Sequence, residues 1–261
     1  MKLKNTHIIV TGAASGIGAA LARRFAAEGA RGVVVADLGV SRDALDAVAR
    51  EIGGLAVRCD VSKEADVQAL VAAAKAKYGP IDVFFSNAGI SRRGHEEALD
   101  ADWEASWRVH VMSHVYACRA VVPDMLTRGS GYLVSTASAA GLLASMGSAP
   151  YGVTKHAAVA LAEHLSIQYG DRGIRVSVLC PQAVDTPMYR TPGVKAAGLD
   201  GVATPEHVAE RVVQAMDKET FLILSHPEVV EYMKRKATDP DRWLAGMRRL
   251  LGKVHSGTIK G

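Results

Sequence analysis

The sequence predicts an α/β protein built on a seven-stranded parallel sheet, and three observations carry that expectation. Short β-branched runs alternate with helical stretches as far as FLIL at 221–224. A glycine-rich turn follows the first run, and no repeat, linker or low-complexity segment breaks the pattern. Strands alternating with helices in this way lie parallel, are covered on both faces, and present ligands at their carboxyl ends. At 261 residues with 49% hydrophobic content, the chain is expected to bury a substantial core as one domain over 1–261.

In order, HIIV at 7–10 is a β-branched run ending in Thr11-Gly12, and AASGIGAALARRFAAEGA behind it keeps helical periodicity until Gly29. Gly12, Gly16 and Gly18 permit a tight turn and close backbone approach. The helix start offers free N–H groups and a positive dipole end to a pyrophosphate. An ordinary glycine-rich β–α turn has the same look. GVVVAD is a second buried strand ending at Asp37, nineteen residues after Gly18, where a carboxylate is placed to accept hydrogen bonds from an adenosine ribose or, alternatively, to cap the next helix. A 2′-phosphate about 4 Å from that carboxylate would meet a repulsion of about 1 to 4 kcal/mol, so NAD is expected over NADP. Strands follow at 55–61, 81–89, 131–138, 174–181 and 221–224, with helices over 64–78, 102–128, 150–169 and 205–218.

The 31 basic and 27 acidic residues are scattered and give a net charge of +4, without the dense basic block of a nucleic-acid-binding arm. Three distant cysteines, Cys59, Cys118 and Cys180, lack any C-x-x-C pairing, which suits a reducing compartment and argues against a metal site. No apolar run reaches the length of a signal peptide or a membrane span, so a soluble, cytoplasmic protein is expected.

Tyr151 and Lys155 stand four apart, which puts both side chains on one helical face. An ammonium beside a phenol favours the phenolate and lowers the tyrosine pKa toward the working pH. Ser138, just past a β-rich run, supplies a hydroxyl that can share a carbonyl or alcohol oxygen with the tyrosine. Spacing alone is weak evidence, since Tyr-x-x-x-Lys is common on helices.

Thr11-Gly-x-x-x-Gly16-x-Gly18, Asn87-Ala88-Gly89, Ser138 and Tyr151-x-x-x-Lys155, in this order on a seven-strand α/β chain, closely resemble the short-chain dehydrogenase/reductase family over about residues 5–225. The resemblance implies a Rossmann-type, three-layer doubly wound fold that binds a nicotinamide dinucleotide. It also implies hydride transfer between that cofactor and an alcohol or carbonyl carbon. Carried over by motif, Tyr151 would be the general acid/base, Lys155 would tune it and hold the nicotinamide ribose, and Ser138 would orient the substrate oxygen. Gly12, Ser15, Gly16, Ile17 and Gly18 would line the dinucleotide, Asp37 its adenosine ribose, and Asp60 with Val61 the adenine edge. Asn87, Ala88 and Gly89 would pass beside the cofactor, and Val184 and Thr186 would meet the carboxamide. The family also suggests homodimers or homotetramers joined through the 102–128 and 150–169 helices.

Two departures stand out. Where the family has an asparagine in the long helix that holds a relay water, this chain has His110, which either joins the relay and adds a pH dependence near 6.5 or is a packed histidine. Gln182 replaces the usual glycine after Pro181 and either contacts the substrate or faces solvent.

The substrate pocket is expected among Ser91 to Arg93, Leu142 to Met146, Gln182, Met188 and Tyr189, mostly apolar, which favours a hydrophobic alcohol or ketone. Arg92 and Arg93 would greet an anionic group or simply be solvated. The stretch 186–205 is expected as a substrate lid or an idle insertion. The 226–261 extension carries Trp243, Leu244, Met247, Leu250 and Leu251 at helical spacing, a stripe that must cover its own subunit, a neighbour or a membrane surface. Beside an NAD-dependent dehydrogenase, two further readings stand: a silent dinucleotide-sensing protein, and a lyase or epimerase that uses bound NAD.

Overall fold

The computed structural model describes residues 1–39, 42–191 and 198–256. Seven strands form one parallel sheet: β1 His7–Thr11, β2 Gly32–Asp37, β3 Leu55–Arg58, β4 Val83–Ser86, β5 Gly131–Thr136, β6 Ile174–Cys180 and β7 Leu222–Leu224. Their spatial order is β3-β2-β1-β4-β5-β6-β7. The order reverses between β1 and β4, which opens a crevice at the carboxyl ends of those strands. Each long strand is apolar on both faces, because successive side chains point to opposite layers. Ile8 and Val10 join one core cluster with Leu21 and Phe25, while Ile9 joins the other with Leu70 and Met125.

Helix α1 (Gly16–Ala27) packs with α8 (Pro205–Asp217) on the first face, beside α2 (Arg42–Glu51); α3 (Glu64–Tyr78), α5 (Ser113–Arg128) and α6 (Ala149–Tyr169) cover the second. The predicted 102–128 helix begins earlier, at α4 (Asp100–Trp107), and is broken by a π-turn over Arg108–Met112 before α5. Such an inserted residue is a recurrent mark of functional positions, and His110 lies in it.

Strands β3 and β4 end earlier than the apolar runs suggest. After Ser86 the chain turns to offer the Asn87 and Ala88 N–H groups to the Thr11 hydroxyl, at 2.9 and 3.1 Å. The C-terminal extension forms two helices, α9 (Glu228–Thr238) and α10 (Pro240–His255). Pro240 forces Asp239 out of helical geometry (φ −149°), and the Asp239 carboxylate then caps α10 by accepting the Arg242 N–H at 2.9 Å. Of the 186–205 stretch, α7 (Pro187–Arg190) and a turn over 198–200 are seen; residues 192–197 lie outside the described residues. Among the described residues no helix is long and apolar enough to cross a membrane.

Candidate active site

A cleft of about 1150 Å³ runs across the carboxyl ends of the strands, from Asp37 and Asp60 past the glycine turn to Ser138, Tyr151 and Lys155. Its first half has a cradle's shape. Gly12 and Gly16 adopt positive φ (65° and 54°), and a Cβ on Gly12 would come within 2.7 Å of Ala88 Cα. Ser15 precedes α1 in extended conformation and makes no cap bond, so the first amides of α1 open on the cleft. Gly18 does not line the cleft. A Cβ there would strike the Gly12 carbonyl oxygen at 2.2 Å, so this glycine is required for close packing of α1 on β1.

At the far end, Asp37 Oδ2 accepts the Ala14 N–H at 3.0 Å and Oδ1 the Leu38 N–H at 2.8 Å, which leaves acceptor capacity on both oxygens. Arg58, its register partner on β3, donates Nε to the Leu38 carbonyl at 3.1 Å. Asp60 is held by the Ser62 hydroxyl at 2.6 Å, with Val61 beside it in the wall. Asn87 ties three strand ends together: its amide donates to the Thr11 carbonyl at 3.0 Å, and its Oδ1 accepts the Thr136 hydroxyl at 3.1 Å. Thr186 caps α7 by accepting the Tyr189 N–H at 3.2 Å and presses its methyl against Gly16, while Val184 bridges to Ala203. The residues present fit an extended dinucleotide: a glycine cradle and helix amides suit the pyrophosphate, and a carboxylate with spare acceptor capacity suits a ribose diol.

Ser138 caps the 3₁₀ turn that follows β5, with Oγ accepting the Ala140 N–H at 3.1 Å and donating its hydroxyl to the Pro181 carbonyl at 3.4 Å, in the same stretch of cleft wall as Tyr151. Lys155 is 3% exposed; its Nζ lies 5.6 Å from the Tyr151 ring centre and donates to the Thr136 carbonyl at 2.8 Å. The three side chains come together as the spacing predicts. The expected acidification of the phenol does not appear in the protein alone. Burial raises the Tyr151 pKa above its ordinary value of 10.0, with the nearby Ser138 hydroxyl opposing it. Burial also lowers Lys155 to about 8, so the lysine has lost its charge before the phenol titrates.

His110 is fully buried beneath this group, edge-on to the Tyr151 ring at 5.4 Å. His110 Nδ1 hydrogen-bonds the Thr154 hydroxyl at 2.8 Å, and that hydroxyl also lies 2.7 Å from the Pro150 carbonyl. Nε2 stands between the Ile90 N–H at 3.1 Å and the Ile90 carbonyl at 3.0 Å, so the ring is clamped whichever nitrogen carries the proton. Burial and the nearby Lys155 hold this imidazole well below 6.5. The expected titration near 6.5 is therefore corrected: both ring nitrogens are engaged in a dry site where the charged form is disfavoured. Gly89 lies in the cleft wall against both groups, and a Cβ there would make ordinary contact at 3.7 Å with His110 Nε2 and Lys155 Nζ.

The second half of the cleft is apolar. Ser91, Leu143 to Met146, Gln182, Met188 and Tyr189 line it as expected, whereas Leu142, also expected there, does not. The paired arginines divide: Arg92 bonds Asp102 at 3.0 Å, while Arg93 lines the cleft. Gln182 faces inward, donating Nε2 to Asp200 at 2.9 Å. The stripe on α10 finds its target here, with Trp243, Met247, Leu250, Leu251 and Val254 forming the outer wall. Asp200, Tyr232 and Val254 were not legible as site residues, because their positions depend on how the extension folds back rather than on any local pattern.

The family profile described as "short chain dehydrogenase" matches residues 6–195, nearly three-quarters of the chain. The chain belongs to the short-chain dehydrogenase family. Among its relatives is 1-deoxy-11-beta-hydroxypentalenate dehydrogenase of Streptomyces exfoliatus, 37% identical over 87% of this chain and 86% of the relative. The (-)-isopiperitenol/(-)-carveol dehydrogenase of Mentha piperita is 34% identical over 88% of this chain and 93% of that one. A short-chain dehydrogenase/reductase from Burkholderia phymatum, solved in complex with NAD, superimposes with a TM-score of 0.83 at 29% identity, covering 92% of this chain and 96% of that one. As a short-chain dehydrogenase, the protein is an oxidoreductase of alcohol and ketone groups.

Proposed function

We propose that this short-chain dehydrogenase interconverts a bulky, apolar secondary alcohol and its ketone, with NAD(H) as partner and Tyr151 as the acid/base. The observation that carries the reading is Ser138, Tyr151 and Lys155 brought together at the junction of the cradle and the apolar half-cleft, with Lys155 Nζ 5.6 Å from the Tyr151 ring centre. The nicotinamide dinucleotide, when bound, supplies the hydride acceptor or donor. Tyr151 takes the alcohol proton in oxidation and returns it in reduction, while Ser138 holds the same oxygen by a second hydrogen bond. Lys155 would hold the cofactor's ribose hydroxyls with its ammonium. His110, neutral and fixed by Thr154 and Ile90, orders the proton path behind Lys155.

Preference for NAD is supported by the Asp37 carboxylate at the ribose end. An apolar substrate is supported by the wall from Leu143 through Trp243 to Leu251, and by the isopiperitenol/carveol relative, whose name describes a neutral alcohol substrate. A homodimer or homotetramer is supported by apolar residues left on the outer faces of α4 and α6, with Trp107 43%, Val153 51% and Ile167 79% exposed. We place the protein in the cytoplasm as one domain. The test is a screen of cyclic and acyclic secondary alcohols with NAD and NADP in parallel. Turnover of cyclic alcohols with NAD is expected, and tight NADH binding without any turnover would favour a sensing role instead.

A further inference from the structure

Helix α10 roofs the substrate half of the cleft, yet it is scarcely packed on anything. It has no fully buried residue, and among the described residues its one substantial neighbour among the elements is α9. Trp243, Met247 and Leu251 are half-buried because they face the cleft rather than a core. What holds the roof must therefore lie on α9.

Three residues on one face of α9, at helical spacing, do so. Val229 is fully buried. Tyr232 donates its hydroxyl to Asp200 Oδ1 at 2.8 Å, and the other oxygen of that carboxylate receives Gln182 Nε2 at 2.9 Å. One turn further, Lys236 donates to the carbonyls of Leu142 and Leu143 at 2.8 and 2.7 Å, on the loop that follows Ser138. Asp200 belongs to the 186–205 segment and Gln182 to the end of β6, so α9 bonds to both walls of the pocket. Tyr232 also packs against Trp243, ring centres 6.4 Å apart, and so transmits its position to α10. The two anchors are charge-assisted and one helical turn apart, which fixes both the height and the tilt of the roof.

We infer that Tyr232 and Lys236 are positioning residues that clasp the C-terminal roof to the two walls of the substrate pocket, and that the apolar face of α10 is completed by a bulky apolar alcohol. This rests on the alcohol dehydrogenase reading above for its second half only. With the clasp made, a large ring system is enclosed between α10 and the Leu143 to Met146 loop, and its apolar contact contributes to binding. A small alcohol reaches Ser138 and Tyr151 without touching α10.

The test uses the full chain as Tyr232→Phe and Lys236→Met, with two readouts. Hydrogen exchange of the α10 amides, followed by mass spectrometry, is expected to speed up by about tenfold or more in each variant, Tyr232→Phe losing one charge-assisted hydrogen bond and Lys236→Met two. The ratio of kcat/KM for borneol to that for isopropanol, with NAD, is expected to fall by about tenfold, mostly through KM for borneol. Faster exchange with an unchanged ratio would overturn the role in specificity, and unchanged exchange in both variants would overturn the clasp itself. A wild type that oxidises neither alcohol would defeat the dehydrogenase reading and the specificity role with it, while exchange would still decide whether the clasp exists.

Discussion

The ammonium of Lys155 donates to the Thr136 carbonyl at 2.8 Å, one helical turn from the phenol of Tyr151, in a site where the lysine is 3% exposed. This single bond orients the cation toward the end of β5, where the cofactor ribose is proposed to lie. It also makes the ammonium costly, since burial lowers its pKa to about 8 from 10.5.

The folded protein therefore binds the Lys155 proton less tightly than the unfolded chain does. Below about pH 8 both states carry it and folding bears the full penalty, about 3 kcal/mol; between about pH 8 and 10.5 the penalty disappears and this group's contribution to stability rises. Lys155→Met is expected to be more stable than wild type near neutrality, with that advantage shrinking as the pH approaches about 10.5. Denaturant titrations at a series of pH values check this, and a constant gap would contradict it.

His110 is held neutral by its burial and by Lys155, so the pH–rate profile is expected to lack any inflection that belongs to it near 6.5. Its role is geometric. His110→Leu is expected to lower kcat by about tenfold to a hundredfold, with His110→Asn recovering most of the loss because an amide can replace both hydrogen bonds. Full kcat in the leucine variant would make His110 a packing residue.

Gly18→Ala is expected to cost about 3 kcal/mol or to prevent folding, because its Cβ would meet backbone at 2.2 Å. Gly170→Ala is the matched control, with nothing within 4 Å of the added carbon and a φ of −55° that any residue adopts. Thermal melts of the two variants separate packing from cofactor binding; equal stability would contradict the packing role.

At the ribose end, Asp37→Ser is expected to raise kcat/KM with NADP by about tenfold or more and to lower it with NAD, since the substitution removes a repulsion of about 1 to 4 kcal/mol. Arg58 stands beside it, ready to meet a 2′-phosphate once the carboxylate is gone. An unchanged NADP rate would show that Asp37 does not choose the cofactor.

How much of this was legible in the sequence follows from the range of the interactions. The alternation of apolar runs encodes the sheet, because strands buried on both faces must be apolar throughout, and the spacing of Ser138, Tyr151 and Lys155 encodes the site. Local pattern fails where a distant partner decides. The acidity of Tyr151 depends on burial and on the early loss of charge from Lys155, which spacing does not report. The stripe on α10 reads as amphipathic, but its target is set by Tyr232 reaching Asp200, 32 residues away. The division of Arg92 from Arg93 is set by Asp102 across a loop.

The most direct measurement is the rate of NADH formation from a cyclic secondary alcohol by Tyr151→Phe, with NADH affinity measured in parallel by fluorescence. The account predicts a loss of about a thousandfold or more in kcat with cofactor affinity retained, because the proton acceptor is gone while the cradle is untouched. A phenylalanine variant that turns over at the wild-type rate would contradict it.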